Sequence, residues 1–283
     1  MEHRVYGSSG ERLSVIGFGA IVTMDETQAD ADRYVAEALD AGVDYFDVAP
    51  SYGNAQDRLG PALQARRNGV FLACKTGMRD GKEARAELER SLQTMRTDRF
   101  DLYQLHGVTT REEIDRILAP GGALEVFQQA KEAGLIRHIG FSAHSEDAAE
   151  ALFEAFAFES VLFPVNYASL LKGAFGGRIF EAARRRGASC LALKAMARAA
   201  WTTDAPHDVP KAWYEPIRDE RLASLALRYS LSQTVVAAIP PGHVDWFRMA
   251  VRAVRDGVRP LDPGELAELQ GLSDSVVPLF PLL

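Results

Sequence analysis

Short apolar runs alternate with amphipathic helical stretches along the whole chain. The runs have the length and composition of buried strands, and most start about 25–35 residues apart, which is the length of a βα unit. They cover residues 14–19, 44–49, 70–75, 100–106, 136–142, 161–165, 188–194 and 235–239. Between them, apolar residues recur at helical spacing, as Tyr34, Val35 and Ala38 do, and this spacing predicts a helix after each strand.

The predicted helices often end at a glycine. Gly42, Gly134 and Gly187 each follow a helical stretch directly before a strand, where a left-handed residue commonly ends a helix. This alternation requires a parallel sheet, because each helix returns the chain to the same edge. The helices are predicted at residues 27–41, 83–95, 123–133, 145–156, 177–186, 218–231 and 243–255.

Eight repeats without an interrupting linker favour closure into a (β/α)8 TIM barrel, and we expect residues 1–283 to form a single domain. An open doubly wound sheet is the alternative, although such a sheet usually has fewer strands and a switch point. Two insertions, residues 107–121 and 197–217, follow the fourth and seventh strands. Both lie on strand-to-helix connections, and barrel enzymes keep their active sites on that face.

Composition narrows the class of protein. The chain has 283 residues, of which 47% are hydrophobic and 25% charged, as in ordinary globular proteins. Its net charge of −7 disfavours nucleic-acid binding, and the longest basic run, residues 184–186, is typical of a solvated helix face. No stretch reaches the roughly 18 apolar residues of a membrane span, so we expect no membrane association.

Cysteine usage and the first residues point to the cytoplasm. Cys74 and Cys190 lie inside apolar runs, which predicts buried, reduced thiols. Residues 1–15 lack the apolar core of a secretory signal. No His/Cys cluster has metal-ligand spacing, so we expect no metal site.

Polar side chains stand at the carboxyl ends of three consecutive predicted strands. Asp47 ends the second strand, with Tyr52 just beyond it; Lys75 ends the third and His106 the fourth. Because these strand ends meet at one barrel mouth, the four side chains can converge there. An ammonium near a phenol stabilises the phenolate and lowers the tyrosine pKa from about 10, which suits protonation of a carbonyl oxygen while hydride reaches its carbon. Each residue alone also fits a structural role, so the hypothesis depends on their joint occurrence.

Six segments spread over nearly the whole chain carry a recognisable pattern: GSSGERLSVIGFGA, AGVDYFDVAPSYGNAQDRLGPAL, FLACKTG, FDLYQLHG, GLIRHIGFSAHS and LRYSLSQTVVAAIPPG. Together they resemble the aldo-keto reductase family. The resemblance implies a (β/α)8 barrel without a Rossmann domain, which binds a nicotinamide cofactor in extended form. It also implies that the family's tetrad falls on Asp47, Tyr52, Lys75 and His106, with Tyr52 as general acid, Lys75 adjusting its pKa, Asp47 as the partner of Lys75, and His106 orienting the carbonyl.

The resemblance also implies cofactor-binding positions, with departures from the family pattern. Ser142 takes the place of the serine that binds the carboxamide, but Ala143 stands where Asn is usual. Asn166 stands where Gln is more common, and it keeps the amide with a shorter reach. Leu193 replaces an aromatic residue that stacks on the nicotinamide, and Lys194 after it could meet a phosphate.

Phosphate recognition is expected where the eighth strand gives way to a helix, at Ile239, Pro241 and Gly242. Free backbone N–H groups and the helix dipole favour anions at such a place. NADP-preferring members often carry a basic residue directly after Ile-Pro and an Arg further on, but here Pro241 and Phe247 occupy those positions, with Arg248 adjacent. NADP(H) is favoured on family grounds, and NAD(H) is possible.

The substrate pocket is expected to be apolar with a few polar anchors. A helix-end plug is the simplest interpretation of residues 275–283, and His144, His207 and His243 are given no catalytic role. Packing of loops onto the barrel would explain most of the candidate pocket residues equally well. The candidates are Met24, Met78, Tyr167, Trp201, Trp213 and Tyr214.

The leading hypothesis is an NAD(P)H-dependent oxidoreductase that reduces a small aldehyde or ketone to the alcohol. One alternative is a Schiff-base lyase that uses a strand-end lysine, Lys75 or Lys194, although it gives Asp47 and Tyr52 no evident role. A second alternative is a cofactor-binding regulatory subunit. The physiological carbonyl and the oligomeric state cannot be predicted from the sequence.

Overall fold

The computed structural model describes residues 1–173, 175–202 and 207–280. The chain opens with an antiparallel hairpin of β1 (His3–Val5) and β2 (Arg12–Ser14). A second hairpin, β10 (Ala197–Ala200) with β11 (Tyr214–Pro216), lies in the later of the two insertions. The other strands are β3 (Gly17–Gly19), β4 (Tyr45–Asp47), β5 (Phe71–Thr76), β6 (Phe100–Val108), β7 (Ile136–Ala143), β8 (Ser160–Pro164), β9 (Ser189–Leu193) and β12 (Ala237–Ala238).

These eight strands form a parallel barrel. They pair in chain order from β3 to β9, and β12 pairs with β9. A parallel bridge between Ile16 and Ala238 brings the two edges together, and the Ala238 N–H donates to the Val15 carbonyl at 2.9 Å. The predicted (β/α)8 barrel is confirmed, and each predicted apolar run overlaps its strand, with ends that differ by at most three residues. The open doubly wound sheet is excluded. The extent of the single domain, residues 1–283, stays a prediction.

The helices cover the outside of the barrel. The helices are α1 (Gln28–Asp40), α2 (Ala55–Leu63), α3 (Gly81–Thr94), α4 (Arg111–Leu118), α5 (Ala123–Glu132), α6 (Glu146–Ala155), α7 (Tyr167–Leu171), α8 (Gly177–Arg186), α9 (Glu220–Leu231), α10 (Val244–Ala253) and α11 (Pro263–Asp274). The seven predicted helices correspond to α1, α3, α5, α6, α8, α9 and α10, each within two residues of its expected ends, and Gly42, Gly134 and Gly187 have positive φ angles as expected. The other four described helices were not predicted: α2 contains Gly60 and Pro61, which interrupt a helical pattern, α4 lies in a charged segment, α7 is short, and α11 follows the last repeat.

Strand alternation divides the core into two layers. Leu72 and Cys74 of β5 pack outward among the helices, whereas Phe71 and Ala73 face the barrel interior. The same alternation continues to the carboxyl end of the strand and turns Lys75 inward. Interior apolar positions therefore predict which terminal polar side chains reach the barrel mouth.

The amino-terminal hairpin covers the opposite end of the barrel. Tyr6 is fully buried there, and its hydroxyl donates to Ser160 Oγ at 2.9 Å. Its ring centroid lies 5.1 Å from those of Phe71 and His138, so β5 and β7 are covered at their amino ends. Access to the barrel interior is left to the carboxyl ends of the strands.

The predicted burial of the two cysteines is confirmed. Cys74 and Cys190 are free and buried, and burial raises the pKa of each thiol to about 12. None of the described helices is both long and apolar enough to cross a membrane. Within those residues no group of three or more His, Cys, Asp or Glu side chains could hold a metal ion. The cytoplasmic location stays a prediction.

Candidate active site

Strand register brings the expected polar residues together at the mouth. Asp47 of β4 lies opposite Ala73 of β5, and Lys75 lies opposite Gln104 of β6. His106 follows Gln104 by two residues and therefore faces the same side of β6. The predicted convergence of Asp47, Lys75 and His106 is present, with Gln104 as an additional polar neighbour.

Lys75 and Asp47 form a buried ion pair. Lys75 is 0% exposed and Asp47 2%, and Lys75 Nζ donates to Asp47 Oδ1. Gln104 Nε2 donates to the other carboxylate oxygen, Asp47 Oδ2, at 3.2 Å, and the Tyr45 hydroxyl donates to Oδ2 at 3.4 Å. Burial lowers the pKa of Lys75, but Asp47, with Tyr52 and Cys74 adding to its effect, outweighs burial, so the pKa lies above its ordinary value. Lys75 is consequently a fixed ammonium.

Tyr52 lies on the turn between β4 and α2. Its N–H donates to the Ala49 carbonyl at 3.1 Å, and Gly53 supplies the left-handed backbone, φ +52°, that directs the turn into α2. Lys75 Nζ lies 5.2 Å from the centre of the Tyr52 ring. Burial raises the pKa of Tyr52, Lys75 lowers it and Asp47 raises it, with a net rise. The expected net lowering does not occur because the cost of dehydrating a phenolate exceeds the attraction of Lys75, so Tyr52 keeps its proton.

His106 stands beside Tyr52 as a neutral imidazole. The two ring centroids lie 5.7 Å apart with the planes nearly perpendicular, and Ser51 Oγ lies 3.4 Å from His106 Nδ1. Burial, the Lys75 ammonium and His144 together lower the pKa of His106 to about 3. At neutral pH it therefore carries one N–H, which can donate to a substrate oxygen.

These residues line a cavity of about 190 Å³. All four members of the expected tetrad are present, together with seven other predicted site residues. Those seven are Ser142, Leu193, Lys194, Trp213, Tyr214, Ile239 and Gly242. The remaining lining residues were not predicted: Gly19, Ile21, His144, Leu162, Lys211 and Pro240.

Some of the unpredicted lining residues could have been predicted from the sequence, and others could not. His144 follows Ser142 by two positions at the end of β7, so strand alternation could have indicated it. Lys211 reaches the mouth from the second insertion, where its Nζ donates to Glu26 at 2.6 Å and to the Val22 carbonyl at 3.2 Å. Nothing in the sequence indicates this link between distant segments.

Three predicted cofactor residues do not line the cavity. The side-chain amide of Asn166 is already hydrogen-bonded to the backbone. Its Oδ1 accepts from N–H groups in the first turn of α7, and its Nδ2 donates to the Lys194 and Ala197 carbonyls at 3.1 and 2.8 Å. Arg248 is paired with Glu37 at 2.8 and 2.9 Å. The Pro241 carbonyl accepts from the N–H of residue 243 at 2.7 Å, within the turn before α10.

Four predicted substrate residues also lie outside the cavity. Met24 and Met78 pack against the outer core. Tyr167 is fully buried at the start of α7, and burial raises its pKa to about 12. Trp201 donates to the Ala212 carbonyl at 2.8 Å and lines a neighbouring groove beside residues 275–279. Residues 203–206 of the second insertion and 281–283 of the tail lie outside the described residues.

The described end of the tail reaches the mouth. Ser169 Oγ donates to the Phe280 carbonyl at 2.8 Å, and Phe280 is fully buried. Its ring stacks on His144 at 5.8 Å and on Phe175 at 5.3 Å between centroids. The tail thereby fixes one wall of the cavity beside His144.

The mouth fits the reacting end of a nicotinamide cofactor. Leu193 and Ile239 offer apolar surface, and Ser142 lies among them with its Oγ accepting from the Gly107 N–H at 2.7 Å. Pro240 and Gly242 lead into the amino terminus of α10. The volume lies below the roughly 300–1,000 Å³ typical of ligand sites, so it suits a nicotinamide ring with a small carbonyl compound rather than a whole dinucleotide.

Comparison with known proteins identifies the class. A sequence model of the aldo/keto reductase family matches residues 15–243, and the chain belongs to that family. The uncharacterized oxidoreductase YqkF of Bacillus subtilis is 33% identical over 156 residues, 50% of this chain and 49% of that protein. The aldo-keto reductase YhdN of the same organism is 30% identical over 226 residues, 64% of this chain and 66% of that protein.

A solved structure extends the likeness to nearly the full length. The holo form of aldo-keto reductase AKR11C1 from Bacillus halodurans aligns with a TM-score of 0.75 at 25% identity, covering 96% of both chains. In sequence, by contrast, the chain spans about half the length of several of the curated relatives it matches, YqkF included. Fold and family are therefore established, and the activity of the whole protein is a proposal.

Proposed function

We propose that this protein is an NAD(P)H-dependent reductase of aldehydes or ketones. One observation carries the proposal: a phenol that keeps its proton, a buried ammonium–carboxylate pair and a neutral imidazole share one cavity. These residues are Tyr52, Lys75 with Asp47, and His106. Membership of the aldo/keto reductase family supports the same reaction class.

In this mechanism the side chains of the cavity orient the carbonyl and donate a proton to its oxygen. His106 donates its N–H to the carbonyl oxygen and orients it beside Tyr52. Tyr52 then transfers its hydroxyl proton to that oxygen, and the Lys75 ammonium, 5.2 Å from the ring centre, stabilises the phenolate left behind. Asp47 keeps Lys75 charged and in place. A proton from solvent restores Tyr52 after the alcohol leaves.

The cofactor, when bound, supplies the hydride that reaches the carbonyl carbon. Ser142 and Leu193 would hold the nicotinamide end, and the turn from Pro240 to Gly242 would meet phosphate at the start of α10. NADP(H) is favoured on family grounds and NAD(H) is the alternative. Arg248 contributes little to this choice, because Glu37 already neutralises it.

The test is a fluorescence titration with NADPH and with NADH, followed by turnover of a panel of aldehydes and ketones. Tyr52→Phe removes only the acid, so kcat should fall about 10²- to 10⁴-fold while cofactor affinity is retained. Tyr229→Phe is the matched control, because it removes a hydroxyl on α9 outside the cavity. If neither cofactor binds up to millimolar concentration, the proposal is wrong.

The alternatives predict different results. Saturable cofactor binding without turnover of any carbonyl, together with a stable co-purifying partner, would favour the regulatory subunit. For a Schiff-base lyase the candidate narrows to Lys194, because Lys75 is paired with Asp47 and keeps its proton. Borohydride added with an aldehyde would then trap a stable mass increase on Lys194. A pKa lowered to about 8 is what such a nucleophile needs, but we expect no adduct because a lyase gives the arrangement of Tyr52, Lys75 and Asp47 no role.

A further inference from the structure

Lys194 has a constrained backbone at the carboxyl end of β9. Its φ angle is +65°, and only two other non-glycine residues in the described parts of the chain have positive φ. The left-handed region is costly for a side chain with a Cβ, so surrounding contacts must hold it. Asn166 Nδ2 donates to the Lys194 carbonyl at 3.1 Å, and the Ala197 N–H donates to it at 3.0 Å. Asn166 is thus a positioning residue for Lys194.

The Lys194 ammonium points into the cavity between two aromatic rings. Nζ lies 5.2 Å from the centre of the Trp213 ring and 5.0 Å from that of Tyr214. Among residues 1–173, 175–202 and 207–280, no carboxylate lies within 4.0 Å of it. Trp213 is 49% exposed, so this side of the cavity opens to solvent.

Within the described residues, Lys194 is the one charged side chain of the cavity without an ion-pair partner. Lys75 is neutralised by Asp47, and Lys211 by Glu26. His106 and His144 are neutral, because burial and nearby cations lower their pKa values to about 3 and about 4. With Glu26 counted beside its partner Lys211, the described charges at the cavity sum to one positive charge at neutral pH, which favours an anionic ligand.

We propose that Lys194 binds an anionic substituent, a carboxylate or a phosphate, on the carbonyl substrate, with Trp213 and Tyr214 as the walls of this subsite. The proposal rests on the proposed function and narrows its substrate class to acidic aldehydes and ketones. A substrate anion is preferred to a cofactor phosphate because Lys194 lines the same cavity as Tyr52 and His106, where the carbonyl would be held. Cofactor phosphates have the start of α10 available.

The subsite gives a pH dependence that only an acidic substrate reveals. Burial, and then Lys75, lower the pKa of Lys194 to about 8, so the free enzyme loses this charge as pH rises through that value. Other titratable groups of the cavity change state elsewhere: His106 and His144 at lower pH, and Tyr52, Lys75 and Tyr214 at higher pH because their pKa values are raised. Asp47 and Lys211 are in ion pairs.

The experiment compares matched substrates that differ in one anionic group: 4-oxobutanoate with butanal, and glyceraldehyde 3-phosphate with glyceraldehyde. In the wild type, kcat/KM should favour at least one acidic member, and that preference should fall above pH 8. Lys194→Met should reduce the ratio of acidic to neutral kcat/KM by about tenfold to a hundredfold, the usual effect of a hydrogen bond to a charged group. Lys194→Arg should keep the preference and lose its pH dependence, because arginine stays protonated.

A control and a second readout make the outcomes distinct. Lys82→Met changes the net charge equally from the exposed start of α3 and should leave the ratio unchanged. Equal losses for acidic and neutral substrates in Lys194→Met, with weaker NADPH and NADH binding, would assign Lys194 to the cofactor and overturn the proposal. Calorimetric titration with 4-oxobutanoate, with Lys194→Met as comparison, decides the matter even without turnover. No difference in binding would overturn the subsite, whereas binding without turnover would contradict only the reductase function.

Discussion

The two ends of the barrel bury titratable groups in opposite ways. At the amino end, His138 lies between Glu11 and Glu159, and both ring nitrogens are hydrogen-bonded to carboxylates. At the carboxyl end, the ring of His106 is hydrogen-bonded only to Ser51 within the described residues, and Lys194 has no ion pair there. One end satisfies its buried charges internally, and the other leaves hydrogen-bonding capacity for a ligand.

The pKa directions follow from this difference. Burial lowers the pKa of His138, but its bonds to Glu159 and Glu11 outweigh that and raise it above the ordinary value. Burial also lowers the pKa of His106, and there the neighbouring cations add to the effect. The same residue type is thus a stabilising cation at one end and a neutral donor at the other. Barrel enzymes in general divide stability and chemistry between these two faces.

The largest expected effect comes from Lys75→Met at the mouth. Losing the ammonium should reduce kcat about 10²- to 10⁴-fold and, by leaving Asp47 buried without its partner, destabilise the fold by about 3–5 kcal/mol. Adding Asp47→Asn should restore most of the stability and none of the activity, as measured by urea unfolding and initial rates. A double variant that regains turnover would show that the pair only supports the fold.

At the amino end of the barrel, His138→Gln tests whether the imidazole stabilises the fold without serving the active site. This change removes hydrogen bonds to two charged carboxylates and should cost about 1–3 kcal/mol in the free energy of unfolding. Because the site lies away from the cavity, kcat/KM of the folded variant should equal that of the wild type. A loss of activity without a loss of stability would contradict the assignment of stability to the amino end and of catalysis to the carboxyl end.

The same variant has a predicted pH dependence. Because the folded pKa of His138 is raised, its contribution is complete below about pH 6.5 and disappears as pH rises through the folded value. Glu159, whose hydrogen bonds lower its pKa to about 2 despite burial, contributes above about pH 4.5 and less as pH falls toward 2. The stability gap between wild type and His138→Gln should be widest between about pH 4.5 and 6.5. Urea midpoints across pH 3–9 measure it, and a gap that widens above pH 7 would contradict the assignment.

The smallest effect is expected from Tyr6→Phe. It removes one neutral buried hydrogen bond, to Ser160 Oγ, and keeps the ring that packs on Phe71, so the cost should be about 0.5–1.5 kcal/mol. A double-mutant cycle with Ser160→Ala isolates the pairwise part. Independent costs of the two substitutions would mean that the hydroxyl contact contributes no coupling, and kcat should be unaffected in all three variants.

The periodicity of the sequence and its family pattern are enough to predict the barrel and the residues at its mouth. Asp47, Lys75 and His106 could be predicted to converge because strand alternation has a fixed period and parallel strands end at one face. The family pattern placed Tyr52 with them. These are local or periodic properties, so a single chain carries them without reference to contacts between distant segments.

Which of these polar side chains remain available to a ligand depends on the tertiary structure. Asn166 and Arg248 have suitable chemistry for a cofactor, but one amide holds the Lys194 backbone and one guanidinium is paired with Glu37. The net rise in the pKa of Tyr52 and the lowered pKa of Lys194 depend on burial and on charged neighbours contributed by other strands. Hydrogen-bond partners and desolvation are properties of three-dimensional packing, so no spacing along the chain could have revealed them.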